Sequence, residues 1–416
     1  MRSTQLPTAP RSGARAGPAP VSRVHTVRVR AAVAVQQQPL QVKEDAQPLF
    51  TPIKLGDLEL QHRVIMAPLT RCRAPNNVPA PIMATYYGQR ASEGGLIISE
   101  ATAICPEAHG YPQVPGIYTA EQVEGWKPVV QAVKAKGGLF LCQLWHVGRA
   151  SHPDYQPGNA LPVSSSAVPI GEGFEVYTPK GGPFKYPTPR ALDASEIPAI
   201  VQAYADAARN AIAAGFDGVE VHGANGYLLD QFWKDSTNSR TDGYGGSDEN
   251  KARLLLEVME AVAAAIGPAR VGLRLSPYNS FLDACDSVER AVEKNVWLMK
   301  ALEARVPGLA YMHMVEPRLA GGNAEVEGPI DHSLEPFRQA SSLPFLAAGG
   351  FKRDDGIAAV KDGKADAVVY GRYFISNPDL PKRLAVGAEL APYDRDSFYS
   401  FGEQGYTDYP CMQESS

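Results

Sequence analysis

The sequence has no long apolar run: nothing in it approaches the roughly 18 consecutive apolar residues of a transmembrane helix, which excludes a helical membrane span. Cysteine is scarce, with five in 416 residues (Cys72, Cys105, Cys142, Cys285 and Cys411), odd in number, scattered and never in CxxC spacing. That excludes a disulfide scaffold and a cysteine zinc site, and fits a reducing compartment. Basic excess is also missing, since 40 Lys and Arg stand against 45 Asp and Glu for a net charge of −5. Such a balance leaves no electrostatic footprint for nucleic acid or an anionic membrane, so neither is expected as a partner. Glycine (38) and proline (35) are plentiful, yet together they stay below the roughly 25–30% of a low-complexity chain.

One absence is local. Residues 1–43 contain no Asp or Glu but six arginines: Arg2, Arg11, Arg15, Arg23, Arg28 and Arg30. The segment is rich in Ser, Thr and Pro and lacks the apolar core of a secretory signal. An acid-free, arginine-rich leader of this kind is used for organelle import. The expectation is a disordered transit peptide over residues 1–43, addressed to the chloroplast, with the mitochondrion as the alternative. The folded domain is expected over residues 48–410.

Beyond the leader, short β-branched runs alternate with segments of helical period, the pattern of parallel βα units. Eight strands are predicted: Arg63–Thr70, Leu96–Ala103, Leu139–Val147, Gly218–His222, Arg270–Ser276, Leu309–Val315, Pro344–Gly350 and Ala367–Arg372. The helix over Asp193–Ala214 shows one apolar stripe, an Asp193/Glu196 capping box, Pro198 in its first turns and Gly215 at its end. Helices are also predicted over Lys251–Ile266 and Val288–Ala304. Eight such strands close as an α/β fold, a (β/α)8 TIM barrel. The competing doubly wound sheet should carry GxGxxG after its first strand, and this chain has Ala67-Pro-Leu-Thr-Arg71 there instead. A long insertion after strand 3 is expected over Ser151–Arg190, which holds eight prolines and five glycines. An N-terminal hairpin over Phe50–Leu60, turning at Gly56-Asp57, is expected across the barrel floor.

Barrel chemistry gathers at the C-terminal ends of the strands. Thr70, Gln143, Trp145, His222, Asn225 and Arg274 all fall there. Gly349-Gly350 closes strand 7 and Gly371-Arg372 closes strand 8, which suits a phosphate held by backbone N–H groups and a guanidinium. A phosphosugar lyase or aldolase could use the same glycines, but it would want a Schiff-base lysine, and none of the eight strands contains one. No metal is expected, because His146 has no partner at metal spacing.

Several longer stretches carry a resemblance. Ala67-Pro-Leu-Thr-Arg71, Ser99-Glu-Ala101, Gly110-Tyr-Pro-Gln-Val-Pro-Gly116 and Cys142-Gln-Leu-Trp-His-Val-Gly-Arg-Ala-Ser151 come first. His222-Gly-Ala-Asn-Gly-Tyr-Leu-Leu-Asp-Gln-Phe232, Arg240-Thr-Asp-Gly-Tyr-Gly-Gly246 and Val271-Gly-Leu-Arg-Leu-Ser-Pro277 follow. Glu316-Pro-Arg318 and Tyr370-Gly-Arg-Tyr-Phe-Ile-Ser-Asn-Pro-Asp379 complete the set. The chain resembles the old yellow enzyme family of flavin-dependent ene reductases, most closely its 12-oxophytodienoate reductase-like branch.

That resemblance implies non-covalent FMN, NADPH as hydride donor, and α,β-unsaturated carbonyl substrates whose C=C bond is reduced. It implies that Pro68, Leu69, Thr70, Ala101, Gln143 and Arg274 contact the flavin ring, with Arg274 beside its N1 and O2 edge. Gly349, Gly350, Gly371 and Arg372 are implied to hold the phosphate. His222 and Asn225 would hydrogen-bond the substrate carbonyl, and Tyr227 would protonate the α-carbon. Asn225 departs from the plant enzymes, which typically carry histidine there. Arg318, Tyr111, Trp145, Phe374 and Tyr399 are implied to lie on the substrate side, and Tyr244 to shape a turn. Reduction of nitro compounds or nitrate esters on the same flavin is the alternative within the family. A monomer or weak homodimer is expected.

Overall fold

The computed structural model describes residues 41–319 and 330–413. The expected leader therefore lies outside the described residues apart from its last three. A 3-10 helix over Glu44–Phe50 buries Ala46 and Leu49, and Asp45 pairs with Arg353 at 2.7 Å. These contacts belong to the barrel, so its packed structure starts ahead of residue 48.

Eight parallel strands close into a barrel with each strand beside its sequence neighbours. They are Val64–Met66, Leu96–Ile98, Leu139–Trp145, Gly218–His222, Val271–Leu275, Tyr311–Val315, Phe345–Ala348 and Ala367–Tyr370. Closure is the pairing of Val368 with Val64. All eight fall within the expected ranges; Gly218–His222 matches end to end, the other seven are shorter, and the first two are shortened most. The chain leaves the ladder after Met66, so Ala67–Thr70 forms part of the cavity wall instead of continuing a strand. The predicted strand Leu96–Ala103 breaks at Ser99 and resumes as Thr102–Ala103.

The hairpin forms from Ile53–Leu55 and Leu58–Leu60. Its turn needs glycine, since Gly56 has φ +57° and a Cβ there would lie 2.1 Å from the Ala269 carbonyl oxygen. Leu55, Leu58 and Leu60 pack under Ile65, Leu96, Leu141 and Leu346, closing the barrel floor with apolar surface. The helix Ile197–Ala214 starts later than Asp193, and only one arm of the expected box forms: the Asp193 N–H donates to Glu196 Oε2 at 2.8 Å. Gly215 ends it in the left-handed region at φ 100°. The other two helices run Asp248–Ile266 and Val288–Arg305, each capped by a serine hydroxyl, Ser247 and Ser287. The insertion contains a hairpin of Val176–Thr178 and Gly181–Phe184, and the pairing of Val163–Ser164 with Arg190–Ala191.

The C-terminal segment is tied across the barrel by buried arginines. Arg71 donates to the Phe398 and Gly405 carbonyls at 3.0 and 2.6 Å, and Arg90 donates to Tyr406 at 3.1 Å. Among the described residues no helix is long and apolar enough to cross a membrane. Leu49 is fully buried, so Leu49→Ala is expected to cost about 2–5 kcal/mol. The check is a lower urea midpoint at nearly unchanged slope; a parent-like midpoint would show that this helix is not part of the core.

Candidate active site

The barrel opens at the C-terminal strand ends into a cavity of about 1430 Å³. Pro68, Leu69, Thr70, Tyr111, Asn225, Tyr227, Arg274, Gly349, Gly350, Gly371, Arg372 and Tyr399 all line it. Ala101, Gln143, Trp145 and His222 form the layer immediately behind, each at 4% exposure or less. Two expected residues lie elsewhere. Phe374 is 2% exposed and sits in the main core, because its short helix, Arg372–Ser376, turns that face inward. Arg318 donates to Asp355 at 2.9 Å and stacks on Phe351 at 4.3 Å, so its charge is taken up there and not on the cavity wall.

The turn after strand 4 sets the donor group. Asn225 and Gly226 are both left-handed, at φ 56° and 76°, a region that asparagine and glycine tolerate. The Asn225 N–H donates to Ser276 Oγ at 2.7 Å, and Asn279 Nδ2 donates to Asn225 Oδ1 at 3.3 Å. With its oxygen engaged in this way, Asn225 is left to offer its NH2 to a ligand. Gln231 braces the turn from behind by donating to the Val147 and Gly226 carbonyls.

His222 Nδ1 accepts the Ala224 N–H at 3.3 Å, which puts the ring proton on Nε2. Burial, and then the Arg274 charge, hold its pKa well below the usual histidine value. The imidazole is therefore a neutral donor. The Tyr227 ring stands edge-on to His222 and to Trp145, with centroids 5.1 and 4.9 Å away. Its hydroxyl lies 3.0 Å from that of Tyr111. Burial raises the Tyr227 pKa above the ordinary phenol value, so the group keeps its proton at neutral pH.

Sequence reasoning missed Tyr186, Phe174, Asn279 and Phe281, all on the cavity wall. They come from the insertion and the loop after strand 5, where no periodicity guides assignment. It also missed Glu220, Tyr311 and His313, a buried polar group under the cavity. A charged residue inside Gly218–His222, a strand buried throughout, was the available signal.

The cavity carries features that suit a phosphorylated flavin. Arg274 lines the wall half-buried, and its Nε is enclosed with no hydrogen-bond partner in the protein. Gly349 and Gly350 have φ 153° and 74°, and a Cβ at Gly349 would meet Glu316 Cβ at 2.4 Å. Bare backbone is thus available to a phosphate beside Arg372, whose guanidinium donates to Tyr393 at 3.0 Å. A waiting cation and a bare cradle fit FMN.

Several buried histidines give the fold a pH signature. Burial pushes His62 and His109 down to about 4 and His146 to about 3, from an ordinary 6.5. The unfolded chain binds these protons near 6.5 and the folded chain does not, so stability falls as pH drops from 6.5 toward 4. Glu100 and Asp230, pushed up by burial to about 7 and about 6, act in the opposite sense but are fewer. Urea midpoints are expected to fall between pH 6.5 and 4.5; a constant midpoint would mean that these imidazoles are not buried neutral.

Comparison with known proteins follows the same lines. A profile of the NADH:flavin oxidoreductase / NADH oxidase family matches residues 48–391. The 12-oxophytodienoate reductase 1 of Oryza sativa subsp. japonica is 52% identical over 370 residues, covering 88% of this chain and 94% of its own. The 12-oxophytodienoate reductase 7 of the same organism is 49% identical over 388 residues, covering 90% and 97%. Among solved structures, morphinone reductase superposes with TM-score 0.82 at 47% identity, covering 88% of this chain and 96% of that one. The old yellow enzyme homologue from Zymomonas mobilis gives TM-score 0.81 at 42% identity, covering 88% and 99%. With the closed barrel and the flavin-shaped cavity, these likenesses show that the chain belongs to the NADH:flavin oxidoreductase / NADH oxidase family, the old yellow enzymes.

Proposed function

We propose that this protein is an FMN-dependent ene reductase that uses NADPH to reduce the C=C bond of α,β-unsaturated carbonyl compounds. The observation that carries this reading is the meeting of His222, Asn225 and Tyr227 on one turn beside Arg274. FMN supplies the hydride when bound. Gly349, Gly350 and Arg372 would hold its phosphate, while Arg274 and Gln143 would meet its polar ring edge.

The protein's own part is polarisation and proton delivery. The His222 Nε2–H and the Asn225 NH2 donate to the substrate carbonyl oxygen, drawing electron density from the β-carbon as charge builds on that oxygen. Tyr227 then gives its hydroxyl proton to the α-carbon. Tyr111, 3.0 Å away, keeps that hydroxyl oriented. The buried apolar cluster of Trp145 and Val147 behind Tyr227 keeps water from that side of the reacting carbon.

We also propose a plastid address for the leader, supported by its arginines and its lack of acid. Residues 1–60 fused to a fluorescent reporter are expected in plastids; diffuse cytosolic signal would contradict this. Arg372→Ala is expected to weaken FMN binding by roughly 10- to 150-fold, the worth of one charge-assisted bond at about 1.5–3 kcal/mol. Fluorescence titration of the apoprotein measures it, and parent affinity would remove Arg372 from the phosphate site.

Tyr227→Phe separates the two halves of the cycle. NADPH should still bleach the yellow enzyme at nearly the parent rate in stopped flow. Reoxidation by 2-cyclohexenone should slow by about 10²–10⁴, the share of a positioned general acid. Equal slowing of both phases would make Tyr227 structural and place the acid elsewhere.

A further inference from the structure

Glu220 is an unusual residue for its place. It lies in strand 4 with 0% exposure, inside a barrel whose lower layers are Ile, Leu, Val and Ala. Both carboxylate oxygens are engaged: Oε1 accepts Gln143 Nε2 at 2.8 Å, and Oε2 accepts the Tyr311 hydroxyl at 3.0 Å and His313 Nδ1 at 2.8 Å. Strand register builds this arrangement. Gln143 pairs with Glu220, Glu220 with Gly272, and Gly272 with Tyr311, while Arg274 sits in register between His222 and His313. Gly272 is glycine for a steric reason, since a Cβ there would lie 2.2 Å from Tyr311 Cζ, inside the ring that reaches Glu220.

The group remains a carboxylate despite its burial. Desolvation opposes the charge, but the hydrogen bonds from His313 and Gln143 and the nearby Arg274 charge outweigh it and hold the pKa below the usual carboxylate range. His313 is itself kept neutral by burial, even beside Glu220. The charges of this layer are therefore one anion, Glu220, and one cation, Arg274. Glu220 is also the foremost influence favouring the Arg274 charge against desolvation.

Stability alone gives little reason for such a pair. Replacing buried charged groups by apolar side chains of similar volume is often neutral or better, and barrel interiors are ordinarily filled with Val, Ile and Leu. The pair does have two consequences at the cavity. The Gln143 amide N–H is committed to Glu220, which leaves its carbonyl for a ligand donor. The positive field of Arg274 at the wall is partly cancelled from below.

We propose that Glu220 is a positioning residue for the flavin: it locks Gln143 at the ring edge, and its charge lowers the reduction potential that Arg274 alone would set. This rests on the flavin reading above. On reduction the ring gains electrons, and a nearby anion makes that gain less favourable.

The test is the midpoint potential of purified holoenzyme, measured by spectroelectrochemical titration. Glu220→Gln keeps the shape and removes the charge, so the potential is expected to shift positive. Its FMN Kd should rise about tenfold, because one donor of the trio now faces an NH2. Tyr311→Phe keeps the charge and removes one donor to it, so the potential is expected to move the other way, negative. If Glu220→Gln fails to fold, the Tyr311→Phe shift decides the matter. Parent potentials in every variant that folds would overturn the proposal and leave Glu220 a packing residue. A parent protein that takes up no FMN would instead end the flavin reading itself.

Discussion

The interior of this barrel changes character along its axis, and the change depends on one buried carboxylate, Glu220. From the floor upward the lining is apolar, closed by Leu55, Leu58 and Leu60 of the hairpin. Above it comes Glu220, bonded by Gln143, Tyr311 and His313, then buried His222 and, at the cavity wall, Arg274. Desolvation works against the Arg274 charge there. Glu220 makes it tolerable, and the cavity above inherits a fixed cation. The neutral state of His222 follows in part from that cation.

The same economy of contacts shapes the donor turn. Asn225 and Gly226 take left-handed backbone, and the turn is held by Ser276 and Asn279 from the loop after strand 5 and by Gln231 from the following short helix. A turn fixed by so many partners needs little reorganisation when a carbonyl arrives, which is what electrostatic preorganisation requires. The mouth is built differently. Exposed Tyr177, Tyr399 and Phe401 surround it, contributed by the insertion and the C-terminal segment. That segment is tied to the barrel by Arg71, Arg73 and Arg90, which donate to main-chain carbonyls with no acidic side chain in those bonds. Phe401 and Tyr399 thus stay at the rim although the chain there has little regular structure.

Much of this was legible in the sequence because barrel strands and their helices are local patterns. The eight strands, the hairpin turning at Gly56-Asp57 and the helix ended by Gly215 rest on short-range periodicity and turn chemistry. His222 and Asn225 were legible through their place at a strand end, and Tyr227 only through the resemblance of the motif to a family. What escaped depends on contacts distant in sequence. Tyr186 reaches the cavity from a proline-rich stretch with no period to read. Phe374 and Arg318 follow family-like motifs, yet the packing of a five-residue helix buries the one and Asp355 captures the other. Glu220 read as part of an apolar strand, and only the cross-strand register reveals what surrounds it.

The central claim is that a donor-polarised carbonyl and a buried, protonated tyrosine divide the addition to the double bond between them. Reduction of 2-cyclohexenone with unlabelled NADPH in D2O tests it most directly, with the deuterium located in the product by NMR. The account predicts deuterium at the α-carbon, delivered from the exchanged Tyr227 hydroxyl, and the cofactor-derived hydrogen at the β-carbon. Reduction of the carbonyl in place of the C=C bond, or deuterium at the β-carbon, would contradict it.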